Sequence, residues 1–234
     1  MKNKNNHSDT ILKVLKSLGL IILLVSYSII PVIIFFIMGI NYYDLSFSIK
    51  ILSLFIADIL FVFFLGFIYR DVLKKDFKKL RKDFFGIIKI AIKYWLEALF
   101  FMIICNAIIS IITGGDIASN EKSVRELLKI TPIFMLFQIA IFAPFTEELI
   151  FRKSIRDIFK NDKIYVLISG LVFGGMHVVG DMSYYSLLYI IPYGVLGGFF
   201  AQLYRKTDNI YSSMIVHSIH NTMAFLLLII AKVI

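Results

Sequence analysis

The sequence predicts an all-α protein, a polytopic bundle of about seven transmembrane helices with one amphipathic helix on the cytoplasmic side. Three observations predict this fold class. Of the 234 residues, 59% are hydrophobic and 18% are charged, which is too apolar for an ordinary soluble domain. Apolar runs recur at close to the roughly 18 to 20 residues that cross a bilayer. Lysine and arginine collect in alternate segments between those runs.

Each predicted span is an apolar run with few charges and with polar residues at its ends. In chain order the predicted spans are 18–40, 46–69, 87–113, 132–151, 164–180, 184–204 and 210–233. The first run is longer than the core of a signal peptide and no small-residue cleavage site follows it, so we expect a retained helix. Because no linker, low-complexity tract or repeat divides the chain, we predict one integral membrane domain over 1–234.

The formal charge of +9 has a topological explanation. Twenty of the 25 lysines and arginines precede the first span or lie around the segments that follow spans two, four and six. By the positive-inside rule the N-terminus is therefore expected in the cytoplasm and the C-terminus outside. A nucleic-acid partner is not expected. The single cysteine, Cys105, lies in an apolar run and is expected to pack there.

The segment after the second span has a helical hydrophobic period. Leu73, Phe77, Leu80 and Phe84 recur at three and four residues, with lysines between them. This pattern predicts an amphipathic cytoplasmic helix. Its lysines either retain the segment on the cytoplasmic side or bind anionic lipid.

Ionisable side chains lie within the fourth predicted span, in the stretch TEELIFR. A charge at membrane depth costs at least ~2.5 kcal/mol, so such residues are usually paired or functional. Glu148 and Arg152 are four residues apart and can pair on one helix face. Glu147 points about 100° away from Glu148, so it is expected to stay free and to serve as a general base.

Two later spans carry histidines. His177 follows Gly170 and Gly174, and Gly194 and Gly198 repeat that spacing in the next span, which permits close helix packing in lipid. This packing would bring His177 toward other spans.

In the last span His217 and Asn221 share a face, with His220 close by. An imidazole and a carboxamide side by side can donate two hydrogen bonds to an oxyanion, or they can simply bond neighbouring helices.

Two further acidic residues allow two interpretations each. Asp58 lies near the middle of the second span, where it either lines the same cavity or bonds a neighbouring helix. Asp181 lies four residues after His177, where it either orients that imidazole or is solvated in a loop.

Together the elements E-E-x-x-x-R, F-x-x-x-H and H-x-x-x-N are more specific than any one of them. In this order they resemble the motifs of the CAAX prenyl protease type II and bacteriocin-processing or immunity family of intramembrane proteases. They all lie within 144–221. The matching residues are Glu147, Glu148, Arg152, Phe173, His177, His217 and Asn221.

The resemblance implies an intramembrane endopeptidase that hydrolyses a membrane-associated peptide or protein. Glu147 and His177 would activate water, and His217 with Asn221 would stabilise the oxyanion. Glu148, Arg152 and Phe173 would support the site. The alternatives are a non-catalytic immunity or scaffold protein and a small transporter that uses Glu147 and His177 as proton-coupled groups.

The sequence contains no H-E-x-x-H zinc signature, and we favour a mechanism without a required cofactor. The alternative is a zinc ion held by Glu147, His177 and His217, with a fourth position for water. A basic, cysteine-poor chain suits a bacterial plasma membrane. The expected substrates there are leader peptides, signalling peptides or anchored regulators.

Overall fold

The computed structural model describes residues 2–115, 117–181 and 183–230, and all of the regular structure in these ranges is helical. The all-α prediction is confirmed. Among the described residues, six helices are long and apolar enough to cross a membrane. These are Ser8–Ile37, Phe47–Ile68, Phe84–Thr113, Pro132–Ile158, Tyr184–Thr207 and Ile210–Ile230. The end of the seventh predicted span, 231–233, lies outside the described residues.

The chain forms two compact units, the first up to Val72 and the second from Leu73 onward. In the first unit, α1 (Lys2–Ser26) continues through a 3₁₀ turn into α2 (Ile30–Ile37), and α3 (Phe47–Ile68) follows. Pro31 lies at the start of α2, where its missing N–H is harmless. Asp58 is buried in α3 and hydrogen bonded to Tyr27, so it bonds a neighbouring helical segment, the second of its two interpretations.

The second unit contains most of the chain and all of the residues in the three motifs. Its helices are α4 (Arg70–Lys82), which begins just before the boundary between the units, α5 (Phe84–Thr113), α6 (Ser119–Ile130), α7 (Pro132–Phe137), α8 (Ala143–Glu147), α9 (Ile155–Ile158), α10 (Asp162–Met176), α11 (Tyr184–Leu188), α12 (Ile190–Thr207) and α13 (Ile210–Ile230).

The helix α4 confirms the amphipathic helix expected after the second span. It also packs against the turn between α12 and α13, where the Asp76 carboxylate accepts the backbone N–H of Ile210 at 2.8 Å and Lys75 and Lys79 bind Asp208. Burial raises the pKa of Asp76, although this N–H bond acts in the opposite direction. The two lysines of α4 that bind Asp208 therefore stabilise the turn between α12 and α13.

A single long helix, Pro132–Ile158, carries the E-E-x-x-x-R element; we call it the motif helix. It is made of α7, α8 and α9 joined by two π-helical segments, Gln138–Phe142 and Glu148–Ser154. The predicted span ended at residue 151, so the helix extends seven residues further. Its extra turns carry Arg156, which binds Asp162 at the start of α10 at 2.9 Å.

The fifth predicted span, 164–180, is instead the 15-residue helix α10. At about 1.5 Å per residue α10 is about 22 Å long, which is less than the ~30 Å hydrocarbon core. The helix ends at Met176, and turns follow, beginning with the His177 N–H bonded to the Gly174 carbonyl. Because apolar residues continue through these turns, hydropathy did not show where the helix ends.

The helices α10 and α12 form an antiparallel pair with closely packed backbones. At one end Arg205 of α12 binds Asp162 at 2.8 Å. Burial would raise the pKa of Asp162, but its hydrogen bonds from Arg205 and Arg156 outweigh that effect and lower it. At the other end, a Cβ on Gly174 would lie 2.5 Å from the Ile190 carbonyl oxygen. The close approach expected from the glycine spacing is confirmed.

Adjacent glycines test this packing. We expect Gly174→Ala to lower the free energy of unfolding by about 1–3 kcal/mol, because the new methyl group meets the backbone of α12. Gly175→Ala is the matched control, since no atom lies within 4 Å of its Cβ position. The thermal midpoint of the detergent-solubilised protein should fall for the first variant and hold or rise for the second. Equal midpoints would contradict the close contact.

Candidate active site

The second unit contains a cavity of about 760 Å³. Its walls include the four residues predicted to be catalytic, which are Glu147, His177, His217 and Asn221. They come from the motif helix, the end of α10 and α13. Helix α6 contributes Glu121, which is paired with Arg125. The structure therefore brings the three sequence elements to one cavity, which their separation of up to 74 residues did not guarantee.

The two adjacent glutamates have different surroundings. Glu148 is fully buried and binds Arg152 through two hydrogen bonds, Nε to Oε2 at 3.0 Å and Nη2 to Oε1 at 3.1 Å. Glu147 points to the cavity with 19% of its side chain exposed. Its Oε2 atom is buried and has no hydrogen-bond partner among the described residues. The pairing expected from the i, i+4 spacing is present, and Glu147 keeps an oxygen available.

Arg152 joins the motif helix to α10. Its Nη1 donates to the Ser169 hydroxyl at 3.2 Å, and that hydroxyl donates to the Phe151 carbonyl at 2.7 Å. The guanidinium also lies over the ring of Phe173, 4.4 Å from its centre. Phe173 thus supports the arginine directly. No local spacing in the sequence relates Ser169 to Arg152, so only the structure shows its role.

His217 is held by the same network. Its Nδ1 lies 2.9 Å from Oε1 of Glu148, and its Nε2 lies 3.8 Å from Oε2 of Glu147. A carboxylate paired with arginine only accepts hydrogen bonds, so Nδ1 carries a hydrogen and donates it. In a neutral ring Nε2 is then an acceptor. Glu148 therefore fixes both the orientation of this imidazole and its tautomer.

His177 has the same tautomer for a different reason. Its Nδ1 lies 2.9 Å from the carbonyl oxygen of Phe173, which can only accept, so Nδ1 donates. Its ring stacks on Tyr193 at 4.3 Å and contacts Phe173 at 4.4 Å between ring centres. The Phe173 ring also lies 5.9 Å from that of His217. The Phe173 ring therefore contacts both imidazoles.

Asp181 does not orient His177. It accepts hydrogen bonds from the Ser186 hydroxyl at 2.6 Å and the Ser183 N–H at 2.9 Å, and so ties the loop to the start of α11. The bond from the Ser186 hydroxyl and those from Ser183 lower the pKa of Asp181. Asp181 therefore lies in a loop, as the second interpretation expected, but it is bonded to Ser183 and Ser186 and is not simply solvated.

Asn221 and Ser218 of α13 bond the backbone of the motif helix. The Asn221 amide donates to the Ile139 carbonyl at 3.0 Å, and the Ser218 hydroxyl donates to the Ala140 carbonyl at 2.6 Å. These carbonyls lie five and four residues before Pro144, which has no N–H to give them. The π-helical segment and the two side chains let the helix continue through the proline. The motif helix is therefore continuous through Pro144.

Metal binding by Glu147, His177 and His217 stays a prediction. No group of three histidine, cysteine, aspartate or glutamate side chains in the described part of the chain is arranged to hold a metal ion. The Nδ1 atoms of both histidines are engaged with Glu148 and Phe173, which leaves Nε2 as the ring atom available for a ligand or a water.

Comparisons with known proteins place the similarity over this site. A family model described as type II CAAX prenyl endopeptidase Rce1-like matches residues 129–223, which contain all three motifs. This match confirms the resemblance to a family of membrane proteases that the motifs indicated.

Curated relatives come from two bacteria. The UPF0177 protein YvdC of Lactococcus lactis subsp. lactis (strain IL1403) is 33% identical over 157 residues, covering 66% of this chain and 58% of that protein. A Bacillus subtilis (strain 168) protein named "Putative membrane peptidase YdiL" is 29% identical over 160 residues, covering 66% and 62%. The chain thus spans about three fifths of the length of these two relatives. No solved structure matches the chain at a significant level.

Removal of the buried arginine should strongly destabilise the protein. Arg152→Met leaves Glu148 buried without its cation, so we expect the free energy of unfolding to fall by about 3–5 kcal/mol. Lys153→Met is the matched control on the same helix, because its pair with Asp157 is only partly buried and its loss should cost clearly less. Unfolding in detergent mixtures followed by fluorescence would measure both. Similar losses for the two variants would contradict the buried role.

The proline contacts can be tested by a double-mutant cycle. Ser218→Ala leaves the Ala140 carbonyl unpaired and should cost about 1–3 kcal/mol. In a Pro144→Ala background the restored N–H can bond the helix backbone, so the same Ser218→Ala change should cost clearly less. Thermal midpoints of the four proteins give the coupling. If the effects of Ser218→Ala and Pro144→Ala on stability are additive, Ser218 does not compensate for the missing N–H of Pro144.

Proposed function

We propose that the protein is an intramembrane endopeptidase that hydrolyses a peptide bond of a membrane-associated peptide or protein. One observation carries the proposal: within the described residues, Oε2 of Glu147 has no hydrogen-bond partner, and it lies in a cavity that Glu147 shares with His177 and His217. The similarity of residues 129–223 to CAAX endopeptidases supports it. So does the name of the relative YdiL, which describes a membrane peptidase.

Glu147 and His177 are proposed to activate the water. Because His177 donates through Nδ1, its neutral ring accepts a hydrogen bond from water at Nε2 and orients it. Glu147 accepts the second proton as the water oxygen attacks the carbonyl carbon of the substrate. The carbonyl π electrons move to oxygen and give a tetrahedral oxyanion. When this collapses, the C–N bond breaks and Glu147 returns the proton to the leaving amine.

His217 and Asn221 are proposed to stabilise the oxyanion. Because Nδ1–H of His217 is committed to Glu148, the ring donates toward the cavity through Nε2 only when it is protonated. The Asn221 amide has a second N–H besides the one bonded to Ile139. Glu148 and Arg152 do no chemistry in this proposal. They hold His217 in place.

The setting suggests the substrate class. The cavity walls are mostly apolar, with residues such as Leu99, Met102 and Leu196, so an apolar segment of a leader peptide, signalling peptide or anchored regulator would fit. We place the protein in a bacterial plasma membrane with its N-terminus in the cytoplasm, on the basis of its lysine and arginine distribution. Lysines of α4 that face away from Asp208 are proposed to contact anionic lipid.

The mechanism is proposed without a required cofactor. If a zinc ion takes part, Glu147, His177 and His217 would hold it, and the ion would supply a Lewis acid for the bound water. A chelator distinguishes the two versions. Cleavage that persists after prolonged chelation supports the metal-free version, and loss that added Zn²⁺ restores supports the other.

The key test is Glu147→Gln. We expect the cleavage rate of a membrane peptide pool, followed by mass spectrometry with purified protein, to fall by about 10²–10⁴-fold because the general base is lost. The thermal midpoint should stay near that of the parent, since Oε2 has no hydrogen-bond partner to lose within the described residues. Glu121→Gln is the matched control: it lines the same cavity but is paired with Arg125, and cleavage should persist.

Other results of these experiments would favour one of the two alternative functions. If Glu147→Gln cleaves as fast as the parent protein, the peptidase mechanism is wrong. If the parent protein cleaves nothing and immunity or signalling survives Glu147→Gln, His177→Ala and His217→Ala, the scaffold function is correct. Solute uptake by reconstituted vesicles that these variants abolish would indicate a transporter.

A further inference from the structure

A third imidazole, His220, lines the cavity and belongs to none of the three motifs. Its Nδ1 lies 3.4 Å from the indole Nε1 of Trp95, which also lines the cavity. An indole N–H only donates, so Nδ1 of His220 must accept. The hydrogen of a neutral His220 ring is therefore on Nε2.

This tautomer is the opposite of that of His177 and His217. Those two rings donate through Nδ1 to Phe173 and Glu148, so their Nε2 atoms accept when the rings are neutral. His220 is fixed with its N–H on Nε2, so it can donate without being protonated. Of the three imidazoles that line the cavity in the described residues, His220 is thus the one whose Nε2 can donate a hydrogen bond while the ring is neutral.

The position of His220 suits contact with a reacting carbonyl group. It follows His217 by three residues on α13, a spacing that puts the two Cβ atoms about 5–6 Å apart on neighbouring faces. The Nε2 atom of His217 lies 3.8 Å from the Glu147 carboxylate. A carbonyl attacked by a water on Glu147 would therefore lie near His217, one turn of α13 from His220.

Trp95 is itself held firmly. It is 9% exposed and packs in a cluster with Ala91, Leu196 and Phe200, which belong to α5 and α12. Its N–H is therefore presented to His220 from a rigid wall. This fixed position would favour one ring tautomer in the absence of substrate.

We propose that His220 is a further catalytic residue, which donates Nε2–H to the oxyanion, and that Trp95 is its positioning residue. The proposal rests on the peptidase function proposed above. It adds a donor that works while neutral, whereas His217 donates through Nε2 only as the imidazolium. The Asn221 amide, which also bonds Ile139, then shares this role.

The tautomer can be measured without any substrate. The chain has four histidines, so ¹⁵N-histidine labelling of the full-length protein in detergent gives few imidazole signals, and His220→Gln identifies those of His220. We expect the Nε2–H form for His220 and the Nδ1–H form for His177 and His217. Trp95→Phe should shift His220 toward a mixture of tautomers. A parent protein with His220 in the Nδ1–H form would overturn the proposal.

Kinetics test the catalytic role, with the peptide that the parent protein cleaves fastest in the membrane peptide pool. His220→Leu should lower kcat by about 10²–10³-fold with KM within a few fold, as expected for loss of one oxyanion donor. His220→Gln keeps a side-chain N–H and should recover part of that loss. Trp95→Phe should lower kcat by less than His220→Leu.

The outcomes separate this proposal from the proposed function. If His220→Leu cleaves like the parent while Glu147→Gln is inactive, the role of His220 is wrong and the peptidase function stands. A parent protein that cleaves no peptide overturns both. If His220→Gln is as slow as His220→Leu although both keep the parent thermal midpoint, the donor role is wrong.

Discussion

The buried ion pair between Glu148 and Arg152 is the interaction on which the rest of the site depends. Both side chains are fully buried, and their hydrogen bonds reach Ser169 on α10 and His217 on α13. In lipid there is no hydrophobic driving force between helices, so packing and polar contacts of this kind have a large role in holding them together. Burial of two charges is tolerated because the arginine fork meets both carboxylate oxygens.

The pair also determines which glutamate is available. Because Glu148 is committed to Arg152 and His217, the adjacent Glu147 is left facing the cavity. Glu148 in turn fixes the tautomer of His217. The side chains of Glu147 and Glu148 point in different directions from the helix. For this reason Glu148 has the structural role and Glu147 the proposed chemical one.

The helix α13 has two roles at the same place. Ser218 and Asn221 compensate for the N–H that Pro144 lacks, which keeps the motif helix continuous through its π-helical segment. The same segment lies just before the two glutamates, so these contacts also set where Glu147 lies relative to His217. The same contacts therefore supply the hydrogen bonds that the backbone lacks at Pro144 and help to position the site.

Hydropathy and residue spacing were enough to predict the helical membrane fold, most span positions to within a few residues, and the pairing of Glu148 with Arg152. These features depend on hydropathy and on the 3.6-residue period, both of which are local. The sequence by itself did not determine the extension of the motif helix to Ile158, the shortness of α10 or the continuity at Pro144. It also did not distinguish His220 from the other histidines. The continuity at Pro144 and the tautomer of His220 depend on Ser218 and Trp95, which lie far along the chain from their partners Ala140 and His220, so only the tertiary structure brings them into contact. The ends of the motif helix and α10 depend on local turns and on the Arg156–Asp162 pair, which hydropathy does not show.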